Sequence, residues 1–232
     1  MRKLILFDID GTLLSARGAP RRAFQRAMID VFGSAGPIDT HSFSGKTDPQ
    51  IARELLRAAG RDDSAIDAGL PALWEHYLRN LAAELERPDH RTDVMPGVRP
   101  LLAALLAEPA HAVVALLTGN IAPGAALKLA SARIDHETFR FGAYGSDCEQ
   151  RDGLPPVAVE RARALTGVTF RGRDVVVIGD TPQDVTCGRA LGVTAVAVAT
   201  GRHDPAALEV AGASTVFEDL ADTAAVLDVL LA

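Results

Sequence analysis

KLILFDIDGTLL, residues Lys3 to Leu14, begins with an apolar run, Leu4 to Phe7, that is short, bounded and built of residues suited to a buried parallel strand. Two carboxylates follow. Asp8 and Asp10 stand two residues apart, so in extended geometry they point to the same side, and Gly11-Thr12 break the strand directly after them. In an open α/β sheet the carboxyl ends of the strands are where ligands bind. Taken alone, the Asp-x-Asp-Gly stretch has two readings. It is either a solvated turn or a pair of like charges that needs a hard cation such as Mg²⁺, beside which an Asp can also serve as a nucleophile toward phosphorus.

The rest of the chain supplies further parts. Two more apolar segments read as buried strands, Ala112 to Leu117 and Asp174 to Ile178, ending in Thr118-Gly119-Asn120 and in Gly179-Asp180-Thr181-Pro182-Gln183-Asp184. A shorter strand is expected near Phe139 to Ala143, and Thr194 to Val198 reads as the last one. Helical patterns fill the intervals: through Leu106, Pro123 to Arg133, Pro155 through Leu165, Pro182 to Leu191, Pro205 to Ala211, and a closing helix from Asp219. Strand and helix in alternation imply an α/β fold with a Rossmann-like, doubly wound parallel sheet.

Between the first and second of these strands lie about eighty residues of helical pattern with no strand signal: Ala19 to Phe32, a helix from Asp48-Pro49 to Ala59, and one from Ser64 to Glu86. So long an all-helical insertion reads as a separate lid rather than a crossover. The division expected is a core of residues 1–15 and 95–232 with a helical cap of residues 16–94. The two short connections, around Ser15 to Gly18 and Pro88 to Pro96, suggest that the lid moves.

Composition narrows the function. With 232 residues, 48% of them hydrophobic, the chain can bury a substantial core. A net charge of −6 and a pI near 5.5 argue against a nucleic-acid partner. No segment reaches the ~18–20 apolar residues of a membrane span, and a cytoplasmic protein, monomeric or homodimeric, is expected. Cys148 and Cys187 are too few for a disulfide framework or a zinc site. Lysine occurs only at positions 3, 46 and 128.

Asp180 and Asp184 fall on one face at a helix start, where Asp180 could instead be a simple cap. Together with the first strand they bring four acids toward one pocket, which is costly without a cation. Thr118 and Asn120, with the backbone N–H groups around Gly119, can bind the oxygens of a phosphate.

DIDGTLL, TGN and GDTPQD, in this order, resemble three of the four motifs of the haloacid dehalogenase superfamily, with the lid placed as in its small helical-cap, phosphoglycolate phosphatase-like members. The resemblance implies an Mg²⁺-dependent phosphatase of small phosphorylated metabolites working through an aspartyl-phosphate. Asp8 would be the nucleophile and Asp10 the acid and base; Asp8, Asp180 and the backbone carbonyl of Asp10 would hold Mg²⁺ with Asp184 in support; Thr118, Gly119 and Asn120 would bind the phosphoryl group. Asp10 disfavours a dehalogenase, which has no alcohol leaving group to protonate. Where the family has its fourth element, a lysine, this chain reads QRDGLPPVAVERA. Arg151 is the expected substitute, the alternative being a solvated loop arginine. Lys46, in the loop FSGKTD, is either a lid residue that reaches the substrate phosphate or an exposed loop lysine. As a Schiff-base lysine it would suit a phosphonoacetaldehyde hydrolase, against which its polar neighbours argue. His41 reads as a surface residue, and Trp74 and Tyr77 as lid core. A phosphomutase of the β-phosphoglucomutase type and a non-catalytic binding protein are the remaining alternatives.

Overall fold

The alternation within β1 (Lys3–Phe7) sets the layers of the molecule, because all five residues are buried and successive side chains enter different cores. Ile5 and Phe7 pack on one face of the sheet, with Val114, Leu116, Val176 and Ile178; Leu4 and Leu6 pack on the other, with Val113, Ala115, Val175 and Val177. Each fully buried Leu or Phe contributes about 1.5–3 kcal/mol. In the computed structural model, which describes residues 2–232, β1 lies inside a six-stranded parallel sheet. Its hydrogen-bonded neighbours are β4 (Ala112–Thr118) and β6 (Val175–Gly179); β2 (Leu14–Ser15) and β3 (Asp93–Val94) form a separate two-stranded ribbon. Outside β4 lies β5 (Gly142–Tyr144), and outside β6 lie β7 (Thr194–Val198) and β8 (Thr215–Phe217).

The chain begins its helices with α1 (Ala19–Phe32), α2 (Asp48–Ala58) and α3 (Asp63–Leu85). The helices that flank the sheet are α4 (Val98–Ala107), α5 (Ala122–Ser131), α6 (Leu154–Thr166), α7 (Pro182–Cys187), α8 (Pro205–Val210) and the closing α9 (Thr223–Leu231). Residues of α4, α5 and α9 cover the Ile5 face, while Leu154, Ala158 and Ala162 of α6 cover the Leu4 face, so the sheet is doubly wound as expected.

The structure differs from the sequence reading at five places. Thr194 to Val198 is not the last strand: β8 adds an edge strand whose residues are only half-buried, and the weak apolar signal of TVF hid it. The helix opened by Pro182 stops at Cys187, and a 3-10 turn at Arg189–Leu191 follows Gly188, at which a Cβ would overlap Val193. The strand expected at Phe139 to Ala143 is shifted to Gly142–Tyr144, and the closing helix starts at Thr223 on an Asp222 cap. The helical stretch after Leu14 also ends in a strand, since Asp93 and Val94 pair antiparallel with Ser15 and Leu14. Both connections of the three-helix block are thereby tied to each other at its base.

α1, α2 and α3 share an apolar cluster distinct from the two sheet faces, built on Phe24, Met28, Leu55, Leu73, Tyr77 and Leu81. Phe24 and Tyr77 meet edge to face at 5.0 Å, and Trp74 packs at the margin of the same cluster. Glu84 of α3, buried, accepts from Arg22 of α1 at 2.7 Å and pairs with Arg26 at 2.8 Å.

Beside β3, Gly97 starts α4 with φ +77°, and a Cβ there would overlap the backbone of Leu220 and Ala221. Gly97→Ala is expected to cost about 2–3 kcal/mol, from left-handed strain plus backbone displacement, which lowers the melting temperature by roughly 5–10 °C in a thermal unfolding scan. An unchanged melting temperature would contradict the close approach of α4 to the 220 region.

Candidate active site

Parallel strands in register deliver their following residues to one edge of the sheet, and here β1, β4 and β6 do so side by side. Asp8 follows β1, its N–H donating to Ile178 of β6 at 2.9 Å, and Asp180 follows β6. Asp184 lies in the first turn of α7, where Thr181 forms a reciprocal capping box: the Thr181 N–H donates to Asp184 Oδ2 at 3.0 Å, and the Asp184 N–H to Thr181 Oγ1 at 3.2 Å. One oxygen from each of Asp8, Asp180 and Asp184 falls within 4.8 Å of the others, and all three residues are buried.

Arg151, on a 3-10 turn at Arg151–Gly153 ahead of α6, is buried against this group. Its Nη2 lies 3.1 Å from Asp8 Oδ1 and also donates to Asp184 Oδ1. One guanidinium does not balance three carboxylates. Burial pushes the Asp8 carboxyl up to about 6; Arg151 opposes this, while Asp184 and Asp10 add to it. Burial pushes Asp180 up to about 8, reinforced by the charges of Asp184 and Asp8 and opposed by the Thr12 hydroxyl, which donates at 3.2 Å, and by Arg151. Burial works against the Arg151 charge, but Asp184 and Asp8 outweigh it and hold the guanidinium firmly protonated. The donor set is all carboxylate oxygen with an excess of negative charge, which fits a hard divalent ion. Gly11 and Gly201 flank the cluster, and a Cβ at either would overlap the Asp180 carboxylate.

Asp10 is not part of that trio. Beyond the end of β1 at Phe7, Asp10 makes an isolated bridge to Leu14, and it lines the same cavity as Asp8. Its carboxylate, whose side chain is 43% exposed, receives Lys128 Nζ at 2.7 and 2.9 Å and Asn120 Nδ2 at 2.8 Å. Lys128 also donates to Asn120 Oδ1 at 2.6 Å. Thr118, at the end of β4 and fully buried, accepts from Asn120 Nδ2 at 2.8 Å. Sequence reasoning passed over Lys128. The available signal was its helical spacing: Gly124, Ala125 and Leu129 are buried on α5, and a lysine on that face needs a buried partner.

The three-helix block closes over this edge through α2. The Asp48 N–H donates to the Gly119 carbonyl at 2.7 Å, Asp48 Oδ2 accepts from the Ile121 N–H at 2.9 Å, and Thr47 Oγ1 donates to the Glu149 carbonyl at 2.6 Å. Burial pushes Asp48 up to about 6, against the pull of Lys128 and the Ile121 N–H. A Cβ on Gly119 would overlap the Lys46 carbonyl, so only glycine admits the block this close. Lys46 lines the cavity, but its Nζ is paired with Glu54 and lies 3.3 Å from His41 Nε2. His41 is half-buried rather than a surface residue, its ring held 3.0 Å from Glu54. Between block and sheet remains a cavity of about 400 Å³ lined by Asp8, Asp10, Thr118, Arg151, Phe43 and Arg21, among others. Arg21 stacks over the Phe43 ring at 4.1 Å. Both cysteines are free, and burial pushes the Cys187 thiol up to about 12, which keeps that thiol protonated.

A parallel α/β sheet with acids grouped at its carboxyl edge beneath a helical block defines an α/β protein whose ligand site lies at the end of its inner strands. Residues 5–189 match the family model of the haloacid dehalogenase-like hydrolases, and the chain belongs to that family. It is 27% identical over 228 residues to the phosphoglycolate phosphatase of Rhodospirillum rubrum, covering 95% of this chain and 89% of that protein. The crystal structure of a hydrolase from Pseudomonas syringae superposes with a TM-score of 0.73 at 23% identity, covering 98% of both chains. CbbY from Rhodobacter sphaeroides in complex with phosphate superposes with a TM-score of 0.67 at 18% identity, covering 96% of both. Among the described residues no helix is long and apolar enough to cross a membrane.

The raised carboxyls fix the sign of a pH effect. Asp8 and Asp180 bind protons more tightly folded than unfolded, where 3.8 is their ordinary value, so their contribution to stability is full below pH 4 and lost as the pH rises through 6 and then 8. Asp180→Asn is therefore expected to raise the metal-free melting temperature more at pH 8.5 than at pH 5. Added Mg²⁺ is expected to stabilise the wild type more at the higher pH, because it binds the ionised acids. Scanning fluorimetry with and without the ion measures both; a Mg²⁺ shift independent of pH would count against the acidic trio as its site.

Proposed function

We propose that the chain is an Mg²⁺-dependent phosphatase of small phosphorylated metabolites, phosphoglycolate-like monoesters above all, acting through an aspartyl-phosphate on Asp8. The observation that carries this reading is the Asp8 carboxylate at the end of the inner strand, touching Arg151 and grouped with Asp180 and Asp184 at the floor of a small-molecule cavity. The names of the curated relatives favour the same substrate class.

Asp8 attacks phosphorus, and the leaving alkoxide takes a proton from the Asp10 carboxyl group. Asp10 then removes a proton from the water that attacks the phosphoryl group, which frees Asp8. Thr118 and the N–H groups at Gly119 and Asn120 bind the phosphoryl oxygens, and Arg151 offsets the charge between nucleophile and phosphate. Asp8, Asp180 and the Asp10 carbonyl would hold the metal; Asp184, engaged by Arg151 and Thr181, steadies that set. When bound, the ion supplies positive charge facing the phosphoryl oxygens. Residues 16–94 serve as the lid that excludes water and selects the leaving group. Arg21, short of solvent and repelled by Arg202, provides cationic character on the lid side, which suits an acidic leaving group. Lys46 acts from the same rim, its position set by Glu54, and that pairing occupies the amine an imine mechanism would need.

Hydrolysis of p-nitrophenyl phosphate tests the reading. Asp8→Asn and omission of Mg²⁺ are each expected to reduce kcat by at least about 10³-fold, within the range of losses seen on removing a nucleophile. Equal rates in wild type and Asp8→Asn would end the nucleophile assignment. Arg151→Lys, which keeps the charge but loses the planar fork, is expected to lower kcat roughly tenfold or more with the melting temperature nearly retained; an unaffected rate would move charge neutralisation elsewhere. A screen of phosphoglycolate against sugar phosphates is expected to favour the former, and isomerised sugar phosphate as a product would indicate a mutase instead.

A further inference from the structure

Asp10 and Asn120 stand in the loops after different strands, yet one buried side chain reaches both. Lys128 is 3% exposed, and its ammonium has three hydrogens to place. It spends them on Asp10 Oδ1 at 2.9 Å, Asp10 Oδ2 at 2.7 Å and Asn120 Oδ1 at 2.6 Å. Because an ammonium only donates, the Asn120 atom facing it must be the amide oxygen. The amide NH₂ is thereby turned toward Asp10 Oδ2 and Thr118 Oγ1, each at 2.8 Å. The result is a closed ring of Lys128, Asp10 and Asn120, with Thr118 attached to it.

We propose that Lys128 is a positioning residue of the reaction: it fixes the Asp10 carboxylate, the acid and base, and the Asn120 amide relative to each other. The inference rests on the phosphatase reading given above. It assigns Lys128 a task distinct from that of Arg151, which contacts Asp8 and Asp184 and not Asp10. Both oxygens of Asp10 are gripped on one side, so the carboxyl group is denied rotation about its last bond, and it is aimed by α5 rather than by its own loop. An acid that must serve a leaving oxygen first and a water later benefits from such restraint, since misplacement by about 1 Å can cost 10²-fold in rate. The ring also binds α5 to the loop after β1. Without the lysine, Asp10 and Asn120 would retain only their mutual hydrogen bond, and the amide could flip.

The experiment is a double-mutant cycle with p-nitrophenyl phosphate and an alkyl phosphate, in saturating Mg²⁺, on the full chain: wild type, K128M, D10N and D10N/K128M. K128M is expected to lose about a hundredfold in kcat with KM within about twofold, and to lose more on the alkyl ester, whose leaving group needs a proton. In the D10N background K128M is expected to change kcat by less than about threefold, because the residue acts through Asp10. K128R, which keeps the charge, is expected to recover part of the loss. A full hundredfold loss on top of D10N, or a raised KM with kcat intact, would overturn the proposal, the latter making Lys128 a phosphate ligand. Should K128M alone fail to fold, the comparison of D10N with D10N/K128M decides by itself, since neither protein holds the Lys128–Asp10 ion pair. Wild-type activity that survives Asp8→Asn would sink the aspartyl-phosphate reading instead, and so the two failures are distinguishable.

Discussion

Three buried carboxylates facing one guanidinium are the constraint on which the rest of this structure depends. Such crowding is unfavourable in a low-dielectric pocket, as the upward displacement of Asp8 and Asp180 records. It is tolerated because the groups are held by elements that have little freedom to move apart. Asp8 and Asp180 follow adjacent parallel strands of the interior, Asp184 is locked in a capping box, and Arg151 is wedged between them. A folded chain that stores negative charge in this way is prepared for a cation and for an anionic ligand bound through it.

The sheet and the three-helix block divide the work. Parallel strands with two buried faces give a rigid edge, and rigid elements place reacting groups better than loops do. The block carries an apolar cluster of its own, which Ile121 and Leu127 of the sheet side join where α3 packs on α5, and it meets the sheet edge through hydrogen bonds at Asp48, Gly119 and Ile121. The ribbon of β2 and β3 ties the two connections together, which confines any motion of the block to a hinge at its base.

Much of the fold was legible along the chain because its signals are local. Continuous apolar runs of β1, β4 and β6, prolines at helix starts and glycines in turns are properties of consecutive residues. The short edge strand β8 escaped because a half-buried strand of TVF carries little apolar excess. Among site residues, the aspartates and TGN stand at strand ends that periodicity alone locates. His41 and Lys46 were harder, since what they touch, Glu54, sits on a helix whose orientation the loop sequence does not encode. Asp10 lines the same cavity as Asp8, as its spacing predicts, but its carboxylate is drawn to Lys128 rather than into the trio.

The sequence by itself determined the order of the longer strands and of the helices, the acids at the strand ends, and the absence of a lysine where the family has its fourth motif. Only the tertiary structure decided which charges meet. Lys128 lies 118 residues from Asp10, and Arg151 lies 33 from Asp184, so neither pairing leaves a periodic trace in the chain. Hydrophobic pattern is written in neighbours because burial acts residue by residue, whereas a buried ion pair forms wherever folding brings opposite charges out of water together.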